Sequence, residues 1–300
     1  MKKSSHIKAS AGSIAFDILN YTLIALFCIT ILFPIWDMLV KSFSYAEDVS
    51  FLHINLFPKR FTLDSYKYCL SRPALLTAFR NSAARTVLGT AYHLLVCCLA
   101  AFALTRTEMP FLKPITILFL ITMFFSGGMI PTYLNIRNLG LMDSFLVYIL
   151  PGGFSMYNTI VIRNYFFSID KSLEESATID GASMLQVMFR IILPLSLPVL
   201  ATVGLWQMVA QWNSWFDNLL YARSDNLITL QYMLKTIQSN VSSLTDESKQ
   251  FAMMQQQNMT FTSETIIAAT TTITILPIIC VYPFLQRYFV KGIMLGAVKG

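Results

Sequence analysis

The sequence predicts an all-α integral membrane protein with six transmembrane helices, and three observations lead there. Hydrophobic residues fill 55% of the 300 positions and charged residues 13%, with a mean hydropathy of +0.57, more apolar side chain than a soluble core of this size can bury. Six apolar stretches, at 18–40, 82–104, 115–135, 144–163, 195–216 and 265–285, approach the roughly 20 residues needed to cross the hydrocarbon layer. In lipid each backbone N–H and C=O must pair within its own element, so stretches of this length read as helices and not as strands.

The first stretch follows Lys2, Lys3 and Lys8. It is too long for the apolar region of a signal peptide, and Phe33-Pro34-Ile35-Trp36-Asp37 offers no small-residue cleavage site, so it reads as a retained helix behind a cytoplasmic segment, 1–17. Residues 18–285 then form one membrane domain, and six crossings return a tail, 286–300, to the cytoplasmic side. With this orientation 11 Lys and Arg lie inside and 10 outside, with Arg85 in the second stretch, so charge counting adds little.

External loops are expected at 41–81, before Asn81-Ser82 opens the second stretch, and at 217–263, where Met253 to Met259 form a polar run near the outer surface. Ser126-Gly127-Gly128-Met129-Ile130-Pro131 interrupts the third stretch, either as a helix end near the outer face or as a break within the span.

A polar loop at 168–190 separates the fourth and fifth stretches. Ser172-x-x-Glu175 and Ser183-x-x-Gln186 are capping-box patterns that would start two short helices, the first near Leu173. Gly181 lies between them, where a left-handed helix cap favours glycine. Leu173, Ile179, Met184, Leu185, Met188 and Phe189 would give the pair an apolar side that can seat in a partner's groove. Small Ala177 and Ala182 would let the backbones approach closely.

The fifth stretch carries Trp206, Gln207, Gln211, Trp212, Asn213 and Trp215. Gln207 and Gln211 share a helix face, as do Trp206 and Asn213. Aromatic rings that pack on sugar faces, with amides that read hydroxyls, suit a saccharide pathway of low charge. Trp212 and Trp215 read equally well as an interfacial belt, and Tyr157-Asn158 are further candidates. His93 reads as a packing or interhelical hydrogen-bond residue, and Arg85 is expected to snorkel outward.

A formal charge of +6 could point to nucleic acid, but the basic residues form no cluster beyond Lys2-Lys3 and Lys59-Arg60, and no nucleic-acid motif accompanies them. The five cysteines show neither a disulfide framework nor a C-x-x-C pair. No phosphate-cradling G-x-x-x-x-G-K-[ST], G-x-S-x-G or H-E-x-x-H occurs, so an enzyme is not expected, and the chain is read as having no catalytic residue, metal or cofactor of its own. A stand-alone secondary transporter would need ion-coupling carboxylates within its spans, whereas Asp37 and Glu264 sit only at span ends.

Glu175-x-Ala177, three residues, Gly181, nine residues, then Ile191-x-Leu193-Pro194 resembles the EAA signature of importer-type ABC permeases. Ser176 stands where the motif's name has a second alanine. Ala100 to Arg106, Glu175 to Ala182 and the tail from Gln286 are similar to the carbohydrate-uptake, MalG-like branch. Phe125 to Leu134 with Asn138 to Leu141 are similar to its LplC/YtcP-type subgroup. The resemblance implies an ABC type I importer permease fold in a bacterial cell membrane, with both termini cytoplasmic. It also implies a loop that docks on a separate ATPase through Glu175, Ala177, Asp180, Gly181 and Ala182. The implied partners are a second permease subunit, an ABC ATPase dimer that binds ATP and Mg, an extracytoplasmic solute-binding protein, membrane lipid and an oligosaccharide or other carbohydrate. An importer for a non-sugar solute is the alternative.

Overall fold

The computed structural model describes residues 11–49, 55–242 and 261–297, and the regular elements among them are helices, beside one isolated bridge between Ser44 and Phe61. Lys2, Lys3, Lys8 and the Met253 to Met259 run lie outside the described residues. The chain divides into two compact units, with boundaries at Cys69/Leu70, Ser243/Leu244 and Thr272/Ile273.

In the first unit, α1 (Ala11–Ser42) carries apolar side chains on all sides, and Phe16, Tyr21, Phe27 and Ile29 are 62% to 71% exposed. A helix apolar all round needs lipid or another helix as its surroundings. Beyond it, Arg60 donates to Glu47 at 2.7 Å and to Asp48 at 2.8 Å, tying off the following loop. α2 (Asp64–Leu70) is held to the end of α1 by a 2.7 Å hydrogen bond between the Ser42 and Tyr66 hydroxyls.

The second unit begins with α3 (Pro73–Ala103), and Pro73 sits in its first turn, where the missing N–H has no helical partner to lose. The helix therefore starts before the Asn81-Ser82 position expected for it. α4 (Leu112–Phe124) and α5 (Met129–Asn138) meet at 116° across a break that includes Gly128 at φ +83°, so the glycine-rich interruption is a sharp bend between two helices.

The stretch 144–163 differs most from expectation. A 3-10 turn, Phe145–Tyr148, is followed by Pro151-Gly152-Gly153, and only then does α6 (Met156–Phe166) start, with the Ser155 hydroxyl accepting from the Asn158 N–H. Proline and two glycines end one helical run, and the serine cap starts another. At 1.5 Å per residue α6 is about 16 Å long, roughly half the hydrocarbon thickness.

α7 (Lys171–Ile179) and α8 (Met184–Val187) form the polar loop. A π-helical turn (Met188–Ile192) and α9 (Leu193–Leu195) lead into α10 (Leu197–Asn213), followed by α11 (Phe216–Tyr221) and α12 (Leu230–Ser242). α13 (Ser263–Ala297) passes from one unit into the other.

Among the described residues three helices are long and apolar enough to cross a membrane: Gly12–Ser42, Pro73–Ala103 and Ser263–Val281. Two bent pairs qualify jointly, α4 with α5, and Met184–Leu195 with α10 at 81°. The total among the described residues is thus three to five, against six expected; 144–163 supplies no qualifying helix, and the two bent pairs decide the rest.

The core of the second unit forms where α3, α6 and α10 meet. Cys97, Cys98, Ala101 and Phe102 of α3 pack with Ile162 and Phe166 of α6 and with Val199 and Val203 of α10. His93 links two of these helices as expected. It donates from Nδ1 to the Gly152 carbonyl at 2.8 Å, while Nε2 accepts from Asn158 at 2.8 Å.

Candidate functional site

The polar loop owes its shape to local chemistry. Asp170 caps α7, accepting from the Ser172 N–H at 3.0 Å, so the first cap is the aspartate and not the Ser172 box expected from the sequence. That N–H and the Ser172 hydroxyl hold the Asp170 carboxyl below its ordinary pKa. At the other end Gly181 takes φ +82°, its N–H donates to the Thr178 carbonyl at 3.0 Å, and the Ala182 N–H donates to the Ala177 carbonyl at 2.9 Å. These are the two bonds of a Schellman cap, which places Gly181 at the left-handed position that favours glycine. The second box forms as expected: Ser183 Oγ accepts from the Gln186 N–H, and the Gln186 side chain accepts from the Ser183 N–H at 2.8 Å.

The finished turn has two faces. Val187, Met188 and Ile192 are buried in the same core as α3 and α6, with Ala177 and Ala182 packed against its edge. Met188, expected on the partner-facing side, is fully buried, following buried Val187 into the core at the start of the π-helical turn. On the other face Leu173, Ile179, Met184, Leu185 and Phe189 are exposed, Ile179 by 86%. Glu175, Asp180 and Gly181 are also exposed, and Glu175 forms no ion pair among the described residues.

Glu174, one residue earlier, faces the other way and is ion-paired with Arg106, just past the end of α3, whose guanidinium lies 4.2 Å above the Phe102 ring. Arg163 of α6 donates to the Leu104 carbonyl at 2.8 Å. The end of α3 is thus tied to α6 and α7, and a groove of about 1060 Å³ opens among Phe102, Arg106, Phe166, Glu174, Ile179 and Leu185.

The pathway candidates separate along α10. Trp206 is 38% exposed, with its ring centroid 6.1 Å from that of the exposed Tyr157. Asn213, on the same face, is exposed and accepts from Gln231 Nε2 of α12 at 3.2 Å. Gln207 is half-buried and reaches toward Gly152. Trp212 is buried, donating from Nε1 to the Thr274 carbonyl at 3.1 Å and meeting Phe79 edge-on at 6.1 Å. Asn158 is buried and occupied by His93.

Gln211 is also buried, and the reason is Arg85. Its Oε1 accepts from Arg85 Nε at 3.2 Å and Nη2 at 3.1 Å, and its amide lies so close to Gly89 that a Cβ there would sit 2.8 Å from Nε2. Arg85, expected to snorkel, is only 2% exposed. It also bonds the Asp217 carboxylate and the Ser214 carbonyl and lies 4.5 Å above the Tyr148 ring. A guanidinium can be buried when its charge is paired and its donors are satisfied. Asp217 supplies the charge from beyond the end of α10, a placement that sequence spacing does not disclose. Neighbouring Asn81 and Ser82 hold the segment that follows α11, Asn81 by donating to the Asn226 and Ile228 carbonyls and Ser82 by accepting from the Leu230 N–H.

Comparison with known proteins agrees with this geometry. Residues 75–295 match the family model described as binding-protein-dependent transport system inner membrane component. The chain is 36% identical over 286 residues to the polygalacturonan/rhamnogalacturonan transport system permease protein YtcP of Bacillus subtilis (strain 168), covering 95% of this chain and 98% of that one. It is 39% identical over 288 residues to protein LplC of the same organism, covering 95% of each. A solved bacterial ABC transporter involved in the import of the acidic polysaccharide alginate has a chain similar at TM-score 0.84 and 32% identity, over 94% of this chain and 99% of that one.

Proposed function

Because this chain belongs to the binding-protein-dependent transport system inner membrane component family, we propose that it is the non-catalytic, pore-forming permease subunit of an ATP-driven importer of saccharides. The observation that carries this reading is the two-faced turn at 170–192. One face is rooted in the core through Val187 and Met188, and the other presents Ile179, Met184 and Leu185 to a partner. Two such chains, or this one and a second permease, would enclose the pathway. ATP and Mg would bind to a separate ATPase dimer seated on the exposed face through Glu175, Asp180 and Gly181, while Ala177 and Ala182 hold that face against the core.

In this reading the chain crosses the bacterial cell membrane six times with both termini cytoplasmic, the sixth crossing being completed by the broken 144–163 stretch. The domain limits stay at 1–17, 18–285 and 286–300. An extracytoplasmic solute-binding protein delivers the sugar to the opposite end. Trp206, Gln207 and Asn213 face the pathway, while Gln211 and Trp212 shape it from behind. Closure of the ATPase dimer moves the turn, and the Arg106–Glu174 pair passes that movement to α3. Hydrolysis can shift the pore between inward- and outward-facing states only if such contacts differ between them.

Relatives named for polygalacturonan/rhamnogalacturonan and alginate support the saccharide assignment. The test is uptake of labelled oligosaccharide by proteoliposomes holding the complex that co-purifies with the tagged chain, supplied with its solute-binding protein. Uptake that requires ATP supports the reading. Uptake by the chain alone without ATP overturns it in favour of a secondary transporter.

A further inference from the structure

The exposed side of α10 does not end with the helix. Trp206 and Asn213 are seven residues apart on one face, about 10 Å along the axis. Asn213 is joined to Gln231 of α12 at 3.2 Å. One turn further along α12, Lys235 is exposed and holds its ammonium 5.7 Å from the centre of the Trp215 ring. Aromatic and amide groups thus continue from α10 onto α12 and finish at a cation.

Lys235 forms no ion pair among the described residues. The neighbouring carboxylate of Asp217 is already committed to Arg85. The α10 stretch carries no charged residue, and the cation bonded to it, Arg85, is buried and neutralised. Among the described residues, the unneutralised charge on this track therefore stands where α10 has ended, over one face of an indole whose opposite face can stack on a sugar ring.

We propose that Asn213, Trp215, Gln231 and Lys235 form a binding site for an anionic sugar residue of the uronate class. The Trp215 ring packs on the apolar face of the pyranose, the Asn213 and Gln231 amides bond its hydroxyls, and the Lys235 ammonium meets its carboxylate. This rests on the saccharide pathway proposed above and adds the charge of the substrate and the residue that reads it. A carboxylate met here leaves the apolar span to handle only rings and hydroxyls, consistent with the lack of unpaired charge along α10.

The test compares oligogalacturonate with its methyl ester, which keeps the rings and removes the charge, as substrates of the reconstituted complex with its solute-binding protein. The ratio of acid to ester uptake should fall about fivefold in Lys235→Gln, the scale of an exposed ion pair, and return in Lys235→Arg. Trp215→Ala should lower uptake of both forms. An acid-to-ester ratio unchanged in Lys235→Gln overturns the inference while leaving saccharide import intact. ATP-dependent uptake of a neutral oligosaccharide but of neither galacturonate form overturns this inference alone, whereas ATP-dependent uptake of no oligosaccharide overturns the saccharide reading and this inference with it.

Discussion

Arg106 and Glu174 are ion-paired across 68 residues of sequence, joining the end of α3 to the first turn of α7. Both are about three-quarters buried, and Arg106 also covers the Phe102 ring. The pair is the direct electrostatic link between the exposed turn and the longest helix of the second unit. Glu174→Ala should cost about 1 kcal/mol or less in stability, yet should raise the ATP hydrolysed per sugar imported. The exchange Arg106→Glu with Glu174→Arg should recover coupling. A coupling ratio equal to wild type in Glu174→Ala would remove the strut from the account.

The two faces of the turn make opposite predictions for similar residues. Ile179→Asp leaves a fully accessible position accessible, so folding should survive, while loss of one buried apolar side chain weakens attachment of the ATPase by about 1.5–3 kcal/mol. Met188→Asp puts a carboxylate in the core and should prevent accumulation of folded protein. Size-exclusion chromatography in detergent, with and without the ATPase subunit, separates the two outcomes.

Gly181 holds φ +82° with no atom within 4 Å of where a Cβ would lie, so its requirement is conformational and not steric. Gly181→Val should therefore destabilise the Schellman cap by about 1–2 kcal/mol without disturbing the core. Faster hydrogen exchange confined to Gly181 and Ala182 and the flanking amides, with an unchanged global melting temperature, is the expected result.

Arg85 is the buried cation whose removal matters most for stability. Arg85→Ala strands Asp217 and the Gln211 amide, and breaking a buried pair costs about 3–5 kcal/mol. The double variant Arg85→Met with Asp217→Leu should be closer to wild type than Arg85→Ala. Thermal unfolding in detergent reads both.

Asp143 gathers the Arg223 and Ser224 N–H groups at 2.8 Å each, together with the Ser224 hydroxyl. The hydroxyl and the two amides hold its pKa below the ordinary value of 3.8. Depression in the folded state means that the carboxylate's contribution is complete above the unfolded pKa and is lost as pH falls through the folded one. The melting-temperature gap between wild type and Asp143→Ala should therefore be constant from pH 7 to pH 5 (roughly a unit above the ordinary carboxylate range). It should close only under more acidic conditions.

What could be read in advance follows the range of the interactions. The Ser183 box, Gly181 and the Ala177–Ala182 approach involve residues within a few positions of each other, and all formed as their spacing suggested. Asp170 displaced Ser172 as the first cap because both lie within one turn and either can bond a free N–H. Hydropathy alone reads 144–163 as one span, and the division comes from Pro151-Gly152-Gly153, which a hydropathy average does not register. Arg85, Gln211 and Asp217 were opaque, because their meeting depends on the register of α3 against α10 and on a turn after α10 that brings an acid back to the helix. Burial of Met188 depends on how α8 docks against α3 and α6, a tertiary contact that the local pattern of the loop does not contain.

The central claim is that the exposed edge of the 170–192 turn seats an ATPase. Ile179→Cys, treated with a short thiol-to-amine cross-linker in native membranes, should yield one major adduct containing an ATPase subunit, and ATP should change its yield as the contact moves. Adducts only with lipid-embedded chains, or none while saccharide uptake proceeds at the wild-type rate, would contradict the claim.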